Sequence, residues 1–140
     1  MTLRASLSPF RTVRFAVPAL LLAGCGLSGP AHGPASPDAG ATVTMGFGSF
    51  EPETIHIKAG QSVEFRNTAV ITHSVTDDPK LAEDAKDASE PAGATPFTSG
   101  DIPPGEVYTQ TFTQPGTYVY FCTHHEDDGM VGRIIVDPAS

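Results

Sequence analysis

Apolar and polar residues alternate along most of the chain beyond residue 41. Val43, Met45 and Phe47 fall on one face of residues 42–47. Ile55 and Ile57 alternate with Thr54, His56 and Lys58, and Val63 and Phe65 take every second place in residues 62–66. A period of two marks a strand with one buried face, because successive side chains leave an extended backbone on opposite sides. Ala59-Gly60-Gln61 separates two of these stretches as a turn. Short segments at 70–71 and 73–76 follow. Residues 107–112 and the aromatic-rich 117–122 read as strands joined by a tight turn at Gln114-Pro115-Gly116, and residues 130–136 as the last strand.

Residues 77–96 interrupt the alternation. They are charged and Ala-rich, with Leu81 the one large aliphatic side chain. Asp78 followed by Pro79 is a helix-start pattern, so a short surface helix is expected near 79–87. The remainder predicts an all-β domain, a Greek-key sandwich or small barrel of about seven to eight strands. Its expected core is Val43, Phe47, Ile55, Ile57, Val63, Phe65, Val75, Phe112, Val119, Phe121, Ile134 and Val136.

The first residues do not belong to that pattern. Arg4, Arg11 and Arg14 precede a short apolar run at 15–22, too short for a comfortable membrane span. Leu22-Ala23-Gly24-Cys25 resembles a bacterial lipoprotein box, in which cleavage leaves a lipid-carrying cysteine at the new N-terminus. Residues 1–24 are therefore expected to be a lipoprotein signal peptide and Cys25 its lipidation site. The alternative is an ordinary secretory signal cut further on. Residues 25–41 are rich in Gly, Pro and Ala and predict a flexible tether containing His32, which leaves 42–140 as the domain.

Charge narrows the partners. Residues 25–140 carry five Lys or Arg and sixteen Asp or Glu, a formal charge of -11. Such a surface lacks the basic footprint of nucleic-acid binding and suits a basic protein partner, or simply a hydrated exterior. Cysteine narrows the chemistry. With Cys25 lipidated, Cys122 is the one thiol left, so no intramolecular disulfide is available. An unpaired thiol in an oxidising compartment calls for burial or a metal.

Cys122, His125 and Met130 lie together in the stretch FCTHHEDDGM, residues 121–130. Thiolate and thioether suit Cu(I), while imidazole suits both oxidation states. Two imidazoles, one thiolate and a weak thioether give neither state its ideal geometry, so little rearranges when an electron arrives or leaves. The second imidazole must come from elsewhere. His73 is the best candidate, because it begins a short strand segment at the sandwich end where a neighbouring strand can meet the Cys loop. His56 alternates with Ile55 and Ile57 and faces away from the core.

On these residues and on several flanking motifs, the chain resembles the cupredoxins, the type 1 (blue) copper proteins, and among them the plastocyanin and halocyanin group. The motifs are Phe50-Glu51-Pro52, residues 59–65, residues 97–100, the PGTYVYFC strand at 115–122, then His125, Gly129-Met130 and Gly132. Two residues separate Cys122 from His125 and four separate His125 from Met130, the plastocyanin spacing. The resemblance spans nearly all of 42–137. It implies one copper ion per chain, held closely by His73, Cys122 and His125 and distantly by Met130. It also implies that the edge of His125 reaches the surface in an apolar patch formed with Gly129 and Met130, with Phe50 as a neighbour and with Ser74 and Thr123 around the ligands. The implied function is a one-electron carrier, not an enzyme, cycling Cu(I)/Cu(II) between redox proteins such as a cytochrome or a membrane oxidoreductase complex. Such a carrier would be exported, lipid-anchored, facing the periplasm or cell exterior, and monomeric.

Three departures from the plastocyanin pattern stand out. His124 replaces the usual Pro before the second ligand His, and the spacing to Cys122 and Met130 selects His125 as the ligand. Ser74 replaces the usual Asn after the first ligand His, so the tie between the ligand loops is weaker or made differently. The run Glu126-Asp127-Asp128 beside the port is expected to favour a basic docking partner and Cu(II). Two other functions compete: a copper-delivery protein, weakened by having Met45 and Met130 as the only methionines beyond the leader, and a metal-free structural β domain.

Overall fold

The structure, a computed structural model, describes residues 39–140. The expected leader, Cys25 and most of the expected tether lie outside the described residues. Seven strands form two sheets: β1 (Ala39–Met45), β2 (Phe50–Glu51), β3 (Thr54–Lys58), β4 (Ser62–Asn67), β5 (Val107–Thr111), β6 (Gly116–Phe121) and β7 (Val131–Asp137). One sheet runs β2-β1-β4-β5 and the other β3-β7-β6. The β1–β4 and β3–β7 pairs are parallel, and the others are antiparallel. This is an all-β fold, a Greek-key sandwich with its core between two sheets.

The period-two reading holds where one face is polar. In β3, Ile55 and Ile57 are buried while His56 is exposed. In β4, Val63 and Phe65 are buried against the opposite sheet, and Gly60 turns the chain between the two strands at a φ of 95°, a conformation that favours glycine.

The alternation misleads in two places. Phe47 was expected inside with Val43 and Met45 but is 72% exposed. Strand β1 stops at Met45, and a turn closed by the Gly46 N–H to the Ser49 carbonyl (3.0 Å) carries Phe47 out of register. In β6 the inward face was expected to carry Val119 and Phe121, yet Tyr118, Tyr120 and Cys122 join the main core. Phe121 is fully buried outside that cluster, and Val119 is half-buried. Both faces of β6 are covered, with Tyr118 and Tyr120 buried on one and Phe121 on the other, while its edge pairs through Val119 and Phe121 with Ser89 and Thr76. A strand buried on both faces carries no period-two contrast to read.

No helix occurs among the described residues, so the helix expected near 79–87 is absent. Asp78 and Asp84 do act as caps, but each closes a single turn: Asp78 Oδ1 accepts the Lys80 N–H (3.0 Å), and Asp84 Oδ1 accepts the Lys86 N–H (3.1 Å). The amides of Glu83 and Asp84, which would bond back along a helix, donate instead to the Glu126 carboxylate.

Aromatic rings fill the end of the core nearest residue 122. Tyr120 packs edge-on against Phe50 and Phe65, with ring centroids 4.8 and 5.3 Å away. Such packing makes the neighbouring ends of β6 and β7 a stiff platform for whatever the loop between them carries.

Candidate metal centre

Two parts of the chain meet at this end of the sandwich. Cys122 directly follows β6, and Met130 directly precedes β7. The loop between them is a run of tight turns: the His125 N–H reaches the Cys122 carbonyl (3.1 Å), the Gly129 N–H reaches the Glu126 carbonyl (2.8 Å), and the Met130 N–H reaches the His125 carbonyl (3.1 Å). Gly129 takes a φ of 77°, and the Cys122 N–H closes the loop on the Met130 carbonyl (3.1 Å). His73 comes from the other part. Its N–H and C=O both pair with Ile102, at 3.1 and 2.7 Å.

The side chains converge. The Cys122 Sγ lies 3.7 Å from His73 Nδ1 and 3.5 Å from His125 Nδ1. Among the described residues these three form the single cluster of this kind, with ligand atoms within 4.8 Å of one another. His73, Cys122 and Met130 are fully buried, whereas His125 is half-buried and so the most accessible of the four. Burial, and then the neighbouring His125 imidazole, hold His73 below the ordinary histidine pKa, opposed by the Gly46 backbone. That favours a neutral ring with a lone pair free to ligate. Its Nε2 is buried without a hydrogen bond of normal geometry, which leaves Nδ1 as the nitrogen engaged with the thiol.

These separations fit a shared ion. A first-row divalent ion about 2.0 Å from an imidazole nitrogen and about 2.3 Å from a thiolate, at angles of roughly 110–120°, holds the two donors about 3.5–3.7 Å apart. Two imidazoles and one thiolate with a more distant thioether are the blue-copper donor set.

Ser74 ties the ligand segments together through its hydroxyl. Its Oγ accepts the Thr123 N–H (2.9 Å) and shares a hydrogen bond with Thr123 Oγ1 (2.8 Å), while its own N–H points at Cys122 Sγ (3.3 Å). The tie left open by the missing Asn is thus made by a hydroxyl pair, and the N–H supplies a donor to the sulfur.

Other residues named from the sequence lie elsewhere. Phe50 is 2% exposed, packed in the core on Tyr120, and does not reach the surface. His56 is exposed on β3, away from the cluster. His124 turns away from the sulfur and pairs through Nε2 with Asp101 Oδ1 (2.8 Å). Neither Asp101 nor the Glu126 contacts announced themselves in the sequence, because partners 23 and 43 positions apart leave no local pattern.

Comparison with known proteins agrees with this geometry. Residues 39–137 match the family described as copper binding proteins, plastocyanin/azurin family. The plastocyanin of Tetradesmus obliquus is 42% identical over 99 residues, covering 71% of this chain and 61% of the relative. That of Prochlorothrix hollandica is 38% identical over 109 residues, covering 74% and 79%. The chain spans about six-tenths or less of the first two plastocyanins it matches. Among solved structures, a reduced amicyanin variant superposes with a TM-score of 0.57 at 25% identity, over 74% of this chain and 86% of that one. The copper-containing nitrite reductase of Thermus scotoductus superposes with a TM-score of 0.57 at 31% identity, but over only 23% of its length. With one His/Cys/His cluster suited to a single copper ion at the end of a two-sheet sandwich, the chain belongs to the plastocyanin/azurin family of copper-binding proteins.

Proposed function

We propose that this protein is a one-electron carrier rather than an enzyme, with His73, Cys122, His125 and Met130 as the residues that hold one copper ion. Copper would supply the Cu(I)/Cu(II) couple. The observation that carries the reading is the Cys122 sulfur flanked by two imidazole nitrogens at 3.5 and 3.7 Å inside a largely closed site. The protein's own part is to keep the ligands in one arrangement through both oxidation states. The β6–β7 loop turns, the His73–Ile102 pairing and the Ser74–Thr123 bonds all serve that end. Burial of His73, Cys122 and Met130 excludes water and leaves no approach for a small substrate.

His125, the half-buried ligand, is the proposed port. Phe47 and Val70, 72% and 77% exposed, stand on loops joined by the Thr68–Met45 hydrogen bonds and would give a partner apolar contact at the same end. Acidic Glu126, Asp127 and Asp128 beside the port would favour a basic docking face, with a cytochrome or a membrane oxidoreductase complex as donor or acceptor. The leader pattern and Cys25 support an exported, lipid-anchored carrier whose tether gives it reach.

The test is redox cycling of the purified copper-loaded protein. Repeated stoichiometric reduction and reoxidation in the presence of a Cu(I) chelator should return the full visible signal with the metal retained. Loss of the metal to the chelator on the first reduction would instead mark a copper-delivery protein.

A further inference from the structure

His125 is the most exposed of the four ligand residues and stands mid-loop between β6 and β7, whereas Cys122 and Met130 adjoin those strands and His73 is bridged to Ile102. Both of its sequence neighbours are anchored to other parts of the fold. On one side His124 Nε2 meets Asp101 Oδ1 at 2.8 Å, and Asp101 directly precedes the Ile102 that pairs with His73. On the other side the Glu126 carboxylate takes the Glu83 N–H on both oxygens (3.0 and 3.0 Å) and the Asp84 N–H on Oε1 (2.9 Å). Two successive backbone amides aimed at one carboxylate form a small anion cradle, and hydrogen bonds to a charged acceptor are about twice as strong as neutral ones.

The surroundings make this contact unexpected on charge alone. Glu126 sits among Glu83, Asp84, Asp87 and Asp127, with Lys86 as the one cation at the same surface depression. Lys86 is itself paired with Asp84. A carboxylate in such company is repelled by its neighbours, so its place there depends on the amides. The segment 78–87 is held in two capped turns that present those amides, where a helix would have consumed them.

We infer that Glu126 is a positioning residue for the copper centre, docking segment 78–87 onto the ligand loop and, with the His124–Asp101 pair, bracing His125 from both sides. The cradle on one side and the His124–Asp101 pair on the other hold the chain around His125 before any metal arrives. An imidazole so held keeps its Nδ1 facing Cys122 and resists swinging out toward solvent. The role rests on the proposed copper reading, whereas the docking contact itself can be measured without metal.

The experiment compares the wild type with Glu126→Ala, Glu126→Gln and Asp127→Asn. In metal-free protein, amide hydrogen exchange at Glu83 and Asp84 should speed up at least about tenfold in Glu126→Ala, with the melting temperature little changed. In copper-loaded protein, metal transfer to a strong chelator should speed up about tenfold, the lower end of the effect of removing groups that orient ligands. Glu126→Gln keeps an acceptor oxygen and should restore most of both. Asp127→Asn removes the same charge without the cradle and should match the wild type. Unchanged exchange in Glu126→Ala would remove the contact. Faster exchange with unchanged copper transfer would leave Glu126 a surface tie with no bearing on the centre. Equal acceleration by Asp127→Asn would make the effect one of charge, and failure to regain the wild-type rates in Glu126→Gln would likewise overturn the cradle. If the wild type takes up no copper, the reading of the centre itself fails, and the exchange data show separately whether the dock exists.

Discussion

Replacing Asp77 by Asn is expected to stabilise the domain at pH 8 and to change it little at pH 4. Asp77 is completely buried. Its Oδ1 accepts the Phe97 N–H at 2.7 Å, but Oδ2 has no partner. Burial pushes its pKa from 3.8 up to about 7, helped by the charges of Glu90 and Asp78 and opposed by hydrogen bonds from the Phe97 and Asp77 backbone. Tyr108 and Tyr118 also feel its charge. The sign follows from linkage. The folded pKa lies above the unfolded one, so the folded state holds a proton that the unfolded state has released between about pH 4 and 7. Stability is therefore greatest below the unfolded pKa and is lost as pH rises through that window, levelling off above the folded value. A rise from 3.8 to about 7 corresponds to an upper bound on the order of 4 kcal/mol. Asn keeps the oxygen that accepts the Phe97 N–H and carries no charge. Chemical denaturation at pH 4, 6 and 8 should show the wild type losing stability across the series and Asp77→Asn staying level. Parallel slopes would show that Asp77 is already ionised in the folded protein at acid pH.

Gly132→Ala is expected to be among the most damaging single-methyl additions in the molecule. Gly132 pairs with Tyr120 across the β6–β7 ladder, and the tyrosine ring lies over the glycine. A Cβ there would stand 2.8 Å from Tyr120 Cε2, with Cζ and Oη closer still. The ring cannot retreat, because Phe50 and Phe65 pack against it at centroid distances of 4.8 and 5.3 Å. Accommodating the methyl means moving a fully buried aromatic or parting the two strands that carry Cys122 and Met130. Overpacking a dense core costs about 1–3 kcal/mol and occasionally more, and this site belongs at or above the top of that range. A double-mutant cycle isolates the cause. In a Tyr120→Leu background the ring is gone, so adding Gly132→Ala should cost far less than it does in the wild type. Equal costs in both backgrounds would place the strain in the backbone.

What the sequence revealed follows from where its signals are local. Strands β3 and β4 were legible because Ile55, Ile57, Val63 and Phe65 alternate with polar neighbours. The cluster of His73, Cys122 and His125 was legible because ligand chemistry restricts residue type and the Cys–His–Met spacing is set within one loop. The inward face of β6 was not legible, because Tyr118 through Cys122 is apolar or aromatic at every position and both faces are covered. Phe47 continued an alternation that the turn at Gly46 cuts short. The helix near 79–87 had its cap and its proline, but the Glu126 carboxylate, 43 and 42 positions away, takes the amides it needed. Ser74 could be flagged as a departure from pattern, while its bonding to Thr123, 49 positions on, required the folded chain.

On the proposed function, one thiolate and two imidazoles at this end of the sandwich hold a single copper ion for electron transfer. Titration of the purified domain with Cu(II), followed by visible absorption, tests it most directly. An intense thiolate-to-copper band should grow to saturation at one ion per chain, be absent in Cys122→Ser and His125→Ala, and persist in His124→Ala. A colourless or faintly coloured product, or a band that survives Cys122→Ser, would contradict it.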